Sequence, residues 1–233
     1  FMKNYSILLV ALLSIIFSCA TPTSKEALSK NLYVGDCNND SICTTIANVD
    51  SSLQEFFSCA NFSQINQFID TEMKLTVLYA NGCYPQYERL DSLCEDAKSY
   101  NLPDWVIDDL FNAFDFSNIS VDSLFHTNAP IFDGEKILQQ GSFIDESDGK
   151  KIMSSVIGNL IQVEKMEMKD TDYVKVLEKD SIFYSNLENK TLRVVLANAD
   201  SDDENWLKIF HYTIKNNRLY LTLVDLYSYD ISA

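Results

Sequence analysis

Hydrophobic and polar positions change their period repeatedly along this chain, and each change marks a new element. Tyr5–Phe17 (YSILLVALLSIIF) is an almost unbroken apolar run that follows Met2, Lys3 and Asn4 and closes on Ser18 and Cys19. Residues 20–44 are polar and read as a tether plus loop around Gly35, Asp36, Asn38, Asn39 and Asp40. From Thr45 the apolar residues recur every three or four: Ile46, Val49, Leu53, Phe56 and Phe57 predict an amphipathic helix to about Cys59. A second short helix fits Ser63–Ile69. Met73–Tyr79 alternates and runs into Asn81-Gly82, which predicts a strand and a tight turn. Leu90, Leu93, Cys94, Ala97 and Tyr100 mark a further helix, and Pro103 opens another that reaches Phe114. Between 115 and 147 the pattern is weakest, with short strands at Ile131-Phe132 and Lys136–Phe143.

The apolar stripe of Ile152, Met153, Val156, Ile157, Leu160 and Ile161 predicts the clearest helix, over 150–168, with Asp148 as N-cap. From Tyr173 the period reads as two, giving strands at Tyr173–Glu178, Ile182–Ser185, Leu192–Ala197, Trp206–Lys215 and Arg218–Tyr227. Asn216-Asn217 is a two-residue hairpin signal. It sets Lys215 opposite Arg218, and then Ile214 opposite Leu219, Tyr212 opposite Leu221, Phe210 opposite Leu223 and Lys208 opposite Asp225. The reverse face, with Leu207, Ile209, His211 and Thr213 against Tyr220, Thr222, Val224 and Leu226, is too apolar to be bare. Helices first and strands last predict an α+β fold. N-terminal helices with a short strand pair precede a long helix packed on a C-terminal antiparallel sheet, in a single domain over 45–233.

Charge narrows the partners. The chain carries 18 Lys and Arg against 34 Asp and Glu, a formal net charge of −16, and of its cations only Lys3 lies within residues 1–18. Nucleic acid is excluded as a partner, because neutralising phosphates needs clustered Lys and Arg. Anionic membrane surfaces repel such a chain as well. With 46% hydrophobic residues it is not the composition of a disordered chain.

A bilayer-spanning helix needs about 20 apolar residues, and the N-terminal run is shorter, as a secretory signal requires. Ile16-Phe17-Ser18-Cys19 resembles the signal of bacterial lipoproteins, with Phe17 bulkier than the usual residue at its place. The resemblance implies removal of residues 1–18, a lipid on the sulfur of Cys19, and residues 19–44 as anchor and tether. Several acyl chains, at about 0.8 kcal/mol per buried methylene, hold a protein firmly to a membrane. Ala20 differs from the Asp that retains some lipoproteins at the inner membrane, which points to the outer membrane of a Gram-negative envelope. Ile209–Ile231 also resembles the closing strand-turn-strand of uncharacterised lipoproteins from some Gram-negative bacteria, with Leu219-Tyr220-Leu221 and Asp225 in the corresponding places. Thr76–Tyr87 resembles their early strand and turn. That likeness implies an anchored α+β module and carries no catalytic residue over.

Five cysteines follow Cys19. Nearness in sequence favours Cys37 with Cys43 and Cys83 with Cys94, leaving Cys59 in a helix, although spacing alone does not set connectivity. His126 and His211 lack metal-ligand spacing, and no C-x-x-C pair accompanies them. Cys59 with His126 is the one thiol–imidazole pair to consider. Asp200, Asp202 and Glu204 follow the first positions of a calcium loop, but Asn205 and His211 stand where Gly and Glu are needed, so the segment reads as a solvated loop. Nucleophile-elbow, phosphate-loop and dinucleotide motifs are missing. The expectation is a non-enzymatic envelope lipoprotein with a binding role, no catalytic or metal residues and no cofactor. Its partners are the membrane, through the lipid on Cys19, and a protein or glycan met at Tyr84 and Tyr87. Two alternatives stand beside it. One is an NTF2-like cone enclosing a small molecule beside Phe210, Tyr212, Leu221 and Leu223; the other is a periplasmic hydrolase.

Overall fold

Strands β1 (Leu32–Val34) and β2 (Thr44–Ile46) pair antiparallel ahead of helices α1 (Val49–Phe57) and α2 (Phe62–Ile65). Strands β3 (Leu75–Asn81) and β4 (Tyr84–Leu90) form a hairpin, followed by helix α3 (Asp104–Ala113). A two-stranded ribbon, β5 (Phe132–Asp133) and β6 (Lys136–Ile137), precedes β7 (Gly141–Asp145) and the helices α4 (Ile152–Val163) and α5 (Thr171–Glu188). The chain then runs through β8 (Thr191–Asn198), β9 (Trp206–Lys215) and β10 (Arg218–Asp225). The computed structural model describes residues 49–82, 84–117, 140–145, 151–168, 170–198 and 206–228, besides the short strands β1, β2, β5 and β6. All of them belong to the unit 31–233.

The α+β class expected from the sequence is the observed one. Six strands lie in the order β4-β3-β10-β9-β8-β7. Every neighbouring pair is antiparallel except β3 and β10, so the sheet is mixed rather than purely antiparallel. Parallel partners need a long crossover, and the chain between β3 and β10 supplies it. Asn216 and Asn217 both sit at positive φ, 53° and 59°, in the turn whose twist suits a two-residue hairpin.

One sheet face is aromatic. Leu53, Phe56 and Phe57 of α1, Ile65 of α2 and Val106, Ile107 and Leu110 of α3 bury it, meeting Phe210, Tyr212 and Ile214 of β9 and Leu219 and Leu221 of β10. Met153, Val156, Ile157 and Leu160 of α4 and Leu177 and Tyr184 of α5 cover the other face, over Leu78 and Leu223. The long helix therefore packs on the sheet, as expected, but on the face opposite Phe210 and Tyr212. That leaves helices on both sides of one sheet.

Three segments differ from their periodicity. Residues 173–178 and 182–185, predicted as strands, are helical within α5. Its inward stripe is Val174, Leu177, Ser181, Tyr184 and Glu188, spaced three and four apart, and its polar members hide it from a hydrophobicity reading. Apolar Tyr173, Val176 and Ile182 point outward and imitate a period of two. Asp170 starts the helix by accepting the N–H groups of Asp172 and Tyr173. Between Leu90 and Tyr100 the expected helix shrinks to a single 3₁₀ turn, Ala97–Ser99. Leu90 is instead the last residue of β4, and beyond it the Tyr100 hydroxyl donates to the Cys94 carbonyl and accepts the Cys94 N–H. Finally, Thr44–Ile46 is extended against β9, so the first helix begins at Val49 rather than Thr45.

Candidate functional site: a notch at the sheet corner

Strand β10 leaves the simple hairpin register after Leu221. Ile214 faces Leu219 and Tyr212 faces Leu221, as the sequence predicts, but Leu223 then stands opposite His211 and Val224 opposite Phe210. Thr222 is the extra residue of a bulge, and it exchanges the faces of every later side chain. Val224 joins the aromatic face while Leu223 joins α4 and α5. The expected pairs Phe210–Leu223 and Lys208–Asp225 are lost for this reason. Asp225 comes instead to His211, with Oδ2 4.0 Å from Nε2 and both side chains buried. Arg193 stands opposite His211 on β8.

Asp225 also ends the strand. Its Oδ1 accepts the N–H groups of Tyr227 and Ser228 at 3.1 and 2.8 Å, which turns the chain off the sheet. The β9–β10 ladder stops at Phe210–Val224, whereas the β9–β8 ladder continues to Trp206–Asn198. This mismatch in length leaves a notch of about 340 Å³ between Trp206–Ile209 and Val224–Leu226, overhung by Asp109, Asn112 and Asp115 at the end of α3. Lys208 ties α3 to the sheet. Its Nζ donates to the carbonyl oxygen of Asn112 at 2.8 Å and to that of Asp115, a cation at a helix C-terminus, and lies 5.0 Å from the Trp206 ring centre.

Burial sets the electrostatics. It raises the Asp225 carboxyl above the ordinary range, against the hydrogen bonds from Ser228 and the charge of Arg193. Partial desolvation, with Asp108 alongside, raises Asp109. Asp115 is held low by its hydrogen bonds from Ser117, and burial lowers the Lys208 ammonium.

Beneath α4 and α5 a polar seam crosses the sheet beside this corner. Thr191 donates to the Leu187 carbonyl, Thr222 donates to that of His211, and Thr213 lies 3.1 Å from both hydroxyls. Three protons serve this chain, so Thr213 donates to one neighbour only. Tyr184 and Thr76 share a 2.7 Å bond, and Glu188 of α5 accepts the Ser154 N–H in the first turn of α4, capping that helix from outside. The space enclosed there is about 10 Å³, barely one water.

The sequence-predicted residues fall as follows. Tyr84 is exposed at 52%, but Tyr87 is turned inward, its hydroxyl donating to Asp180 at 2.5 Å and its ring edge-on to Tyr184. The expected contact pair is therefore split: three residues apart on one strand, they face opposite ways. Cys94 is a free thiol bonded to the Asp96 carbonyl. Cys19, Cys37, Cys43, Cys83, His126 and the acidic loop 200–205 lie outside the described residues. Cys59 packs on the aromatic face and His211 on the other, so these two do not meet. A groove of about 550 Å³ passes Cys59, lined by Phe62, Phe111 and Phe114. Beside Phe210 and Tyr212, where a cone-like ligand site was expected, the rings of Phe56, Phe57, Phe114 and Phe116 pack against the sheet. Among the described residues no group of three His, Cys, Asp or Glu could hold a metal ion, and no helix is long and apolar enough to cross a membrane.

No family model matches the chain, and no curated protein or solved structure matches it significantly. The site stands on its geometry alone. Sequence reasoning missed Asp109, Asn112 and Asp115 as residues that line the notch beside Lys208. Their i, i+3 spacing marks one side of α3, but only tertiary packing brings that side over the end of β9.

Proposed function

We propose that this chain is a non-enzymatic binding module of a Gram-negative envelope, held to the outer membrane by a lipid on Cys19 and using the corner notch to hold its ligand. The short apolar run closing on Ser18-Cys19 supports the anchor. A net charge of −16 supports a role away from nucleic acid and anionic lipid headgroups. The mismatch between the β9 ladders carries the binding role. It opens a concave space at the small end of the range for small-molecule sites, with apolar walls and a few convergent polar groups.

Replacing the anchor residue tests the reading. Cys19→Ser should move the protein from the membrane pellet to the soluble fraction of lysed cells and abolish incorporation of labelled palmitate. Retention of the variant in the pellet would refute lipid anchoring.

A further inference from the structure

We propose that the outer side of helix α3 and the neighbouring β3–β4 hairpin form a docking surface for a basic protein segment, one that presents Arg or Lys side chains. Trp105 is its centre. It lies in the first turn of α3 and is 47% exposed, while Val106, Ile107 and Leu110 of the same helix are buried in the aromatic face. Tyr79 of β3 packs edge to face with the indole, the ring centres 6.0 Å apart. Tyr84, 52% exposed, follows on the same side. Tyr79 pairs with Gln86 and Asn81 with Tyr84, which makes the two tyrosines diagonal neighbours on one sheet face. None of these three rings lines the notch. Exposed Trp and Tyr side chains supported by a buried ring are the residue types that anchor protein contacts.

Charge selects the partner. Asp104 and Asp108 are exposed on the side of α3 that carries Trp105. Glu88 stands on the sheet face of Tyr84, and after burial its charge is what raises the Tyr79 hydroxyl. Among the described residues of α3, β3 and β4 no cation balances these acids. Helix α3 and β3 carry neither Lys nor Arg, and Arg89 of β4 is turned to the opposite face, 4.5 Å from the centre of the Phe183 ring. An ammonium or guanidinium meets the face of the indole and the nearby carboxylates together. A second copy of this chain brings the same acids to the contact, and an anionic lipid headgroup is repelled. A neutral glycan stacks on the rings but gains no long-range attraction from the carboxylates.

A capped, fluorescein-labelled tetra-arginine peptide, titrated into the full chain and followed by anisotropy, tests the surface. Saturable binding is expected, with at least tenfold weaker binding of the tetra-glutamine peptide. Trp105→Ala, at an exposed position, should weaken the arginine peptide at least tenfold, and Trp105→Phe should restore part of the loss. Asp104→Asn with Asp108→Asn should weaken it about fivefold. Asp172→Asn with Glu178→Gln makes the same change of charge on α5, which covers the other sheet face, and should leave the affinity within about twofold. Equal losses from the two acid pairs, or an affinity unmoved by Trp105→Ala, would mean attraction to net charge alone and would overturn the surface. Tighter binding of labelled chitotetraose than of the arginine peptide overturns the basic partner and makes the patch a glycan platform. No binding of any probe overturns the proposal altogether.

Discussion

The two faces of this one sheet are built on different chemistry. On the side of α1–α3, Phe56 meets the rings of Phe57, Phe68, Phe116, Phe210 and Tyr212 at centroid distances of 5.1 to 5.9 Å, mostly edge to face. On the side of α4 and α5, apolar clusters around Ile157 and Ile209 flank the seam of threonines, His211, Asp225 and Glu188. The dry face draws its stability from burial and ring geometry, which are tolerant of small shifts. The polar face depends on each donor finding an acceptor, so it sets position more strictly than it adds stability. The notch opens where β10 passes from one regime to the other.

Removing the central ring should break the dry face. Phe56→Ala should cost about 3–5 kcal/mol in denaturant unfolding, the range for a fully buried aromatic. A loss below about 1 kcal/mol would mean that the rings do not form a common core. On the opposite face the largest expected signature is a pH dependence rather than a bulk loss. The folded Asp225 carboxyl titrates above its ordinary value of 3.8, so just above that value the native state holds a proton that the unfolded chain has released. Stability from this group is therefore full below about pH 4 and falls as pH rises through the folded value. Asp225→Asn should flatten that fall relative to the parent, a subtraction that cancels the opposite contributions of Asp70 and Asp115. A parent that gains stability over the variant with rising pH would contradict the assignment.

The difference between the faces also explains what was legible in the sequence. Alternation in β9 and the Asn-Asn turn placed Lys215 opposite Arg218 and the aromatic face down to Tyr212–Leu221, because burial of one face leaves the register no freedom. The bulge at Thr222 was not legible. No local pattern announces an extra residue when both faces are apolar, and its cause lies in tertiary bonds, Thr222 to the His211 carbonyl and Asp225 to the N–H groups of Tyr227 and Ser228. Helix α5 misled for a related reason. Its half-buried Ser181 and buried Glu188 are polar and its exposed Val176 and Ile182 apolar, the reverse of the signal that periodicity reads. Of the notch, Asp225 and Lys208 were legible as a facing pair, and the bulge gave each a different task.

The bulge is thus the central claim, since the buried Asp225, the shortened ladder and the notch all follow from it. Cross-strand proton NOEs in β9 and β10 of the folded protein test it most directly. Contacts linking Phe210 to Val224 and His211 to Leu223 are expected. A strong Phe210–Leu223 contact with Lys208 facing Asp225 would restore the unbroken hairpin and contradict the account.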